Sequence, residues 1–196
     1  ERLKYALVFK NQRPKLPSRY GHSHSQLAAL PLTPKAVKEE LISAKNYFSY
    51  KERCLFCDII RQEQKDNKRI VEENLDYISF VPFATKFPFE LCIMPKKHNE
   101  DFRAESESSL KNLAQILKIS LSKISLVLND PPLNYILHTI PYLRPKPDYW
   151  KTIHSDFHWH IEIYPQIIEI TGFERGSGCY IQPLLPEICA KLLLGK

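Results

Sequence analysis

The sequence predicts an α+β fold: a mostly antiparallel sheet with helices packed on it. Short apolar, β-branched or aromatic runs outnumber helical patterns, and neighbouring runs are joined by short links. A third observation is a repeat. HSHSQLAALP (22–31) returns in reduced form as HWHIEIYP (158–165), each with two histidines one residue apart and a closing Pro. On a strand, residues i and i+2 share a face, so each copy presents two imidazoles side by side.

The elements follow in order. Residues 4–10 read as a strand and 12–21 as a loop, where Pro14, Pro17 and Gly21 prevent regular structure. A strand over 24–30 leads to Pro31 and Pro34. Pro34 suits a helix start, and Val37, Leu41 and Ala44 form one stripe over 35–50. A second short helix begins within CLFC and runs through DIIRQEQ. Strands at 69–73, 75–83 and 89–95 follow. Leu110, Leu113, Leu117, Leu121 and Ile124 recur every three or four residues, so 106–128 is the clearest helix; Ser106 or Ser108 is its N-cap. Asn129, Asp130, Pro131 and Pro132 stop it. Strands at 133–139 and 157–164, a glycine-bearing loop over 172–187 and a helix near 186–194 complete the chain.

The repeat extends upstream. KYALVFKN (4–11) and LNYILHTI (133–140) are matching strands, and each is followed by a Pro-rich basic connection, RPKLPSRYG or PYLRPKPDYWK, before its paired histidines. A duplicated unit is the expectation. The chain enters a strand almost at Glu1, so residues 1–50 read as the end of a first half and 51–196 as a complete second half of an N-terminally truncated fragment.

With 196 residues, 43% of them apolar, the chain can bury a good core. The net charge of +6 is spread among acidic residues, which favours a phosphate-bearing small molecule over a nucleic-acid surface. No apolar run approaches the roughly 18 residues that span a membrane. Five cysteines, an odd number with one close CxxC, do not make a disulfide framework and point to a cytoplasmic protein.

Cys54 and Cys57 supply the thiolate pair that zinc binds across a tight turn; His98 and one histidine of HWH can complete a closed site. The alternative is that both cysteines are the buried face of a helix start. Glu40, His138 and the HWH histidines form a second candidate set, suited to iron or zinc, unless His138 is a hydrogen-bonded core histidine. His24 and Gln26 place an imidazole beside an amide. An imidazole held at one nitrogen can attack phosphorus with the other, and the amide can donate to the phosphoryl oxygens. Alternatively, His22 and His24 are both metal ligands.

FKN (9–11), HSHSQLAALP, VPFATKFPFELCIMPKKH (81–98), HWHIEIYP and GFERGSGCYIQPLLPE (172–187) together closely resemble the galactose-1-phosphate uridylyltransferases of the histidine triad superfamily. The resemblance implies two histidine-triad-like halves and a ping-pong transfer of UMP between UDP-glucose and galactose 1-phosphate, with a homodimer as the working unit. It implies His24 as nucleophile, Gln26 as phosphate ligand and His22 as ligand of a first-half zinc whose cysteines lie upstream. It places Asn11 on the nucleotide, and Phe173 and Glu174 on the sugar in the neighbouring subunit's site.

For the second half the resemblance implies either zinc on Cys54, Cys57, His98 and His158, or iron on Glu40, His138, His158 and His160. The two sets share His158, so the expectation is that one excludes the other, with the zinc set preferred. Arg19 stands where many relatives carry a phosphate-contacting Ser; it either binds phosphate as a fork or blocks the family's substrate, and so bears on hexose specificity. Two alternative functions remain: an ADP-glucose-type phosphorylase or adenylyltransferase, and a non-catalytic metal-stabilised nucleotide-binding protein.

Overall fold

A computed structural model of the protein describes residues 2–12, 22, 24–142 and 150–196. Seven strands form one sheet in the order β2-β1-β6-β7-β5-β4-β3: β1 (Tyr5–Gln12), β2 (Gln26–Leu30), β3 (Ile70–Glu73), β4 (Tyr77–Phe80), β5 (Leu91–Pro95), β6 (Leu133–His138) and β7 (His160–Pro165). Every pairing is antiparallel. The α+β expectation therefore holds.

The sheet is covered on both faces. Alternation along β7 sends Ile161 and Ile163 into a core beneath α3 (Glu107–Leu128) and α6 (Pro186–Leu193), while β5 contributes Leu91 and Ile93. Ser106 caps α3 by accepting from the Ser109 N–H, and Leu113, Ile116, Ser120 and Ile124 form its buried stripe. Cys92, Met94, Ile78 and Phe80 face the other way, against α1 (Lys35–Lys51), α2 (Leu55–Asp66) and the single turn α4 (Ile153–Asp156).

HWH straddles both layers. Trp159 is fully buried against Tyr77 and Phe102, and its indole N–H donates to Glu105 at 2.9 Å. His158 and His160 lie on the opposite side, their rings beside Phe56 of α2. The middle residue thus anchors the segment, and its neighbours carry the chemistry.

Strand register turns the sequence repeat into a local two-fold. Phe9 pairs with Ile136 across β1 and β6; Phe9 also pairs with Gln26, and Ile136 with Glu162. An axis through the Phe9–Ile136 pair carries Gln26 onto Glu162, the same correspondence that aligns HSHSQ with HWHIE. The segment 1–50 contributes β1, β2 and α1 to the same layered body as the rest.

Three elements depart from expectation, one of them a 3-10 turn at Phe102–Ala104. Residues Gly172–Ser177 form a short helix, α5, where the glycines read as a loop; Thr171 and Glu174 make a capping box that outweighs them. The turn α4 is also additional. The loop at 13–21 lies outside the described residues.

Candidate functional site

Cys54 is the N-cap of α2 and Cys57 its third residue, so both thiols rise from the first turn toward one point. His98, just beyond β5, and His158, just before β7, meet them there. One ligand atom from each of the four residues lies within 4.8 Å of the others. Cys57 Sγ is 3.4 Å from His98 Nδ1 and 3.6 Å from His158 Nδ1. A tetrahedral zinc with ordinary Zn–S and Zn–N lengths sets its ligands about 3.5 Å apart, so the donor set and spacing fit that ion.

The far nitrogens are fixed too. His98 Nε2 lies 3.0 Å from the His154 carbonyl and His158 Nε2 2.8 Å from the Pro95 carbonyl. Donating Nε2–H to those oxygens leaves each Nδ1 lone pair aimed at the thiols. The hydrogen bond from Cys54 holds the Cys57 thiol below its ordinary range, which favours the thiolate a metal requires.

Glu40, His138 and His160 form a second group within 4.8 Å, without His158. The expected competition for His158 does not arise: its Nδ1 faces Cys57. In this second group His138 Nδ1 sits 2.8 Å from Glu40, a proton-sharing distance shorter than the roughly 3.0–3.4 Å between ligands of one metal. Its Nε2 is 3.3 Å from Glu162. Burial works against charge on His138, but the Glu40 carboxylate outweighs it and holds the imidazole above its usual range. Burial and then His138 hold His160 below. The group is a buried His–carboxylate network.

A cleft of about 660 Å³ opens beside this network, lined by Phe56, Phe80, Lys86, Glu90, His160 and Glu162. At the first copy of the repeat, His24 Nδ1 lies 2.8 Å from the His22 carbonyl, and at the second His160 Nδ1 lies 3.0 Å from the His158 carbonyl. The two imidazoles are held alike, each with Nδ1 against the carbonyl two residues earlier. Gln26 is exposed at the start of β2, on the face that also carries Glu162. A second cleft of about 700 Å³ runs along that face past Asn134, Ile136, Tyr164, Tyr180, Lys86 and Arg175. Asn134 is the register partner of Asn11.

The family model of the galactose-1-phosphate uridyl transferase C-terminal domain matches residues 40–171. The chain belongs to this family. ADP-glucose phosphorylase of Arabidopsis thaliana is 38% identical over 97% of the chain and 52% of its own length. Galactose-1-phosphate uridylyltransferase of Thermotoga maritima is 25% identical over 97% of the chain and 60% of its own. The crystal structure of the Arabidopsis ADP-glucose phosphorylase with bound ADP-glucose superposes with a TM-score of 0.87 at 35% identity, covering 99% of this chain and 60% of that one. A uridylyltransferase structure superposes equally well at 29% identity. The chain spans roughly half to three-fifths of the length of these relatives.

Within this uridyl transferase family chain, Glu174 accepts from the Thr171 N–H at 2.9 Å and hydroxyl at 2.5 Å, and Phe173 is exposed beside it. Both sit on the surface of α5. His22 is exposed; Arg19 lies outside the described residues. Sequence reasoning missed Glu162, Lys86 and Glu90. Glu162 was legible as the Gln26 counterpart in HWHIE, whereas Lys86 reaches the cleft from a loop that carries no periodic signal and Glu90 from just before β5, at the start of the run read as a strand over 89–95.

Proposed function

We propose that the protein is a nucleotidyltransferase acting on sugar phosphates through His24, with zinc on Cys54, Cys57, His98 and His158. The observation that supports this is the His24 Nδ1 to His22 carbonyl contact; an Nδ1–H donated to that oxygen makes Nε2 the nucleophilic nitrogen, with Gln26 two residues on. His24 Nε2 attacks the α-phosphorus of a nucleoside diphosphate sugar; a P–N bond forms, the P–O bond to the leaving group breaks, and the sugar 1-phosphate departs. An oxygen of an acceptor phosphate then attacks the same phosphorus and returns the nitrogen lone pair. Gln26 donates to the phosphoryl oxygens, where charge builds up. Asn11, one strand over, contacts the nucleotide. Arg19 tunes the acceptor phosphate, and Phe173 and Glu174 serve the sugar of a neighbouring subunit in a dimer.

The zinc site has four protein ligands and no open position, so its contribution is structural. It pins the start of α2 to the segments leading out of β5 and into β7. The Glu40–His138–His160 set, whose His138 is hydrogen-bonded to Glu40, is the less favoured metal site.

Two donors suit this reading. The Thermotoga maritima relative's name, galactose-1-phosphate uridylyltransferase, favours transfer of UMP between UDP-glucose and galactose 1-phosphate, while 38% identity to an ADP-glucose phosphorylase favours AMP transfer from ADP-glucose. Single-turnover release of glucose 1-phosphate from ADP-glucose and from UDP-glucose by the full-length protein decides between them. Release from one names the base; release from neither rejects the reading in favour of a non-catalytic nucleotide-binding protein.

A further inference from the structure

The zinc-type cluster owes much of its outer shell to one four-residue turn. His98 Nε2 is held by the His154 carbonyl at 3.0 Å, and Cys54 Sγ approaches the Asp156 carbonyl at 3.5 Å. Both oxygens belong to α4. A turn this short does not hold its shape on propensity alone, because helix nucleation is unfavourable before several bonds have formed. Something local must fix it.

That something is the Asp156 side chain. It is fully buried, and its Oδ2 accepts from the Trp150 indole N–H and the Thr152 hydroxyl, both at 2.7 Å. The carboxylate ties the end of the turn back to its beginning. Trp150 in turn packs against the core on this face of the sheet, and the Lys45 ammonium of α1 lies 5.0 Å from its ring. Among the described residues Asp156 Oδ1 is buried without a hydrogen-bond partner. Burying a carboxylate is costly, and the two hydrogen bonds from Trp150 and Thr152 offset that cost.

We infer that Asp156 is a positioning residue for the metal centre. By locking α4 it aims the His154 carbonyl at His98 Nε2, fixes the His98 tautomer with Nδ1 toward the thiols, and thereby tunes metal affinity. The inference rests on the reading that Cys54, Cys57, His98 and His158 bind zinc.

The test uses the full-length protein with zinc, measured by chelator competition, and with cobalt, whose absorption reports ligand geometry. Asp156→Ala should weaken zinc binding about 10–100-fold, the usual cost of losing an outer-shell partner, and alter the cobalt spectrum. Thr152→Val, which removes one of the two donors, should weaken it in the same direction, and Thr152→Ser should restore it. Ser120→Ala, which breaks the buried Ser120–Ser79 bond on the opposite face, should lower the unfolding temperature with unchanged affinity and spectrum. If Asp156→Ala and Thr152→Val behave like Ser120→Ala, the inference is overturned while the zinc reading stands. Should Asp156→Ala fail to fold, the Thr152 pair decides. A wild-type protein that takes up no zinc overturns the zinc reading itself, and this inference with it.

Discussion

Replacing Cys54 and Cys57 together by Ser removes both thiolates from the cluster and leaves His98 and His158 facing two weak hydroxyl ligands. The magnitude follows from linkage. Where free zinc stands a thousandfold above its dissociation constant, binding adds about 4 kcal/mol to folding stability, less whatever the unfolded chain's cysteines retain. For a chain of 196 residues each kcal/mol moves Tm by roughly 2–4 °C, so the full effect is about 8–16 °C. The locality of the contacts sharpens this: α2, β5 and β7 are joined at the cluster, and Cys57 Sγ touches both imidazoles. Elemental analysis after dialysis measures the zinc, and thermal unfolding with and without a chelator measures its stabilisation. Wild type should lose roughly 8–16 °C on chelation, and the double variant should start low and not respond. A double variant with undiminished zinc, still sensitive to chelation, would refute the assignment and send attention to Glu40, His138 and His160.

Four further outcomes are expected. His24→Ala should abolish nucleotidyl transfer with far-UV circular dichroism unchanged, and Gln26→Ala should slow the first half-reaction about 10²–10³-fold, the usual effect of removing one such donor; activity near wild type in either contradicts its role. Glu90 is buried, which pushes its carboxyl up to about 7, against the opposing hydrogen bonds from the Lys86 and Phe87 N–H groups. Between its unfolded value near 4.5 and about 7 the folded state holds a proton that the unfolded state has released, so stability falls as pH rises through that window. Glu90→Gln should remove that fall and gain up to about 3 kcal/mol over wild type on going from pH 4 to pH 8, seen in urea unfolding; parallel pH curves count against it. Glu174→Ala should impair exchange onto a sugar phosphate far more than formation of the first nucleotidyl-enzyme, and equal loss in both half-reactions would remove the sugar role.

Most of the sheet and its helices were legible because their signals are local. The stripe of α3, the Pro34 start of α1 and the alternating strands each declare themselves within a few residues. The four zinc-type residues were legible for a different reason: CxxC has few other uses, and paired histidines on a strand attract notice. What was not legible depends on three-dimensional neighbours. Nothing in the spacing of His158 and His160 says that one imidazole turns to Cys57 and the other to the His138–Glu40 pair, although they leave the chain on the same side. That separation is set by where α1 and α2 land on the sheet. Likewise, α5 read as a loop because three glycines hid a capping box of only two side chains.

The account stands on His24 carrying the nucleotidyl group, and one measurement meets it directly. The full-length protein is incubated with ADP-glucose or UDP-glucose, quenched at alkaline pH where phosphoramidates survive, and digested for peptide mass mapping. The account expects one nucleoside monophosphate adduct on the peptide bearing His22 and His24, lost in His24→Asn. No adduct with either donor, or an adduct on the peptide bearing His158 and His160 instead, would contradict it.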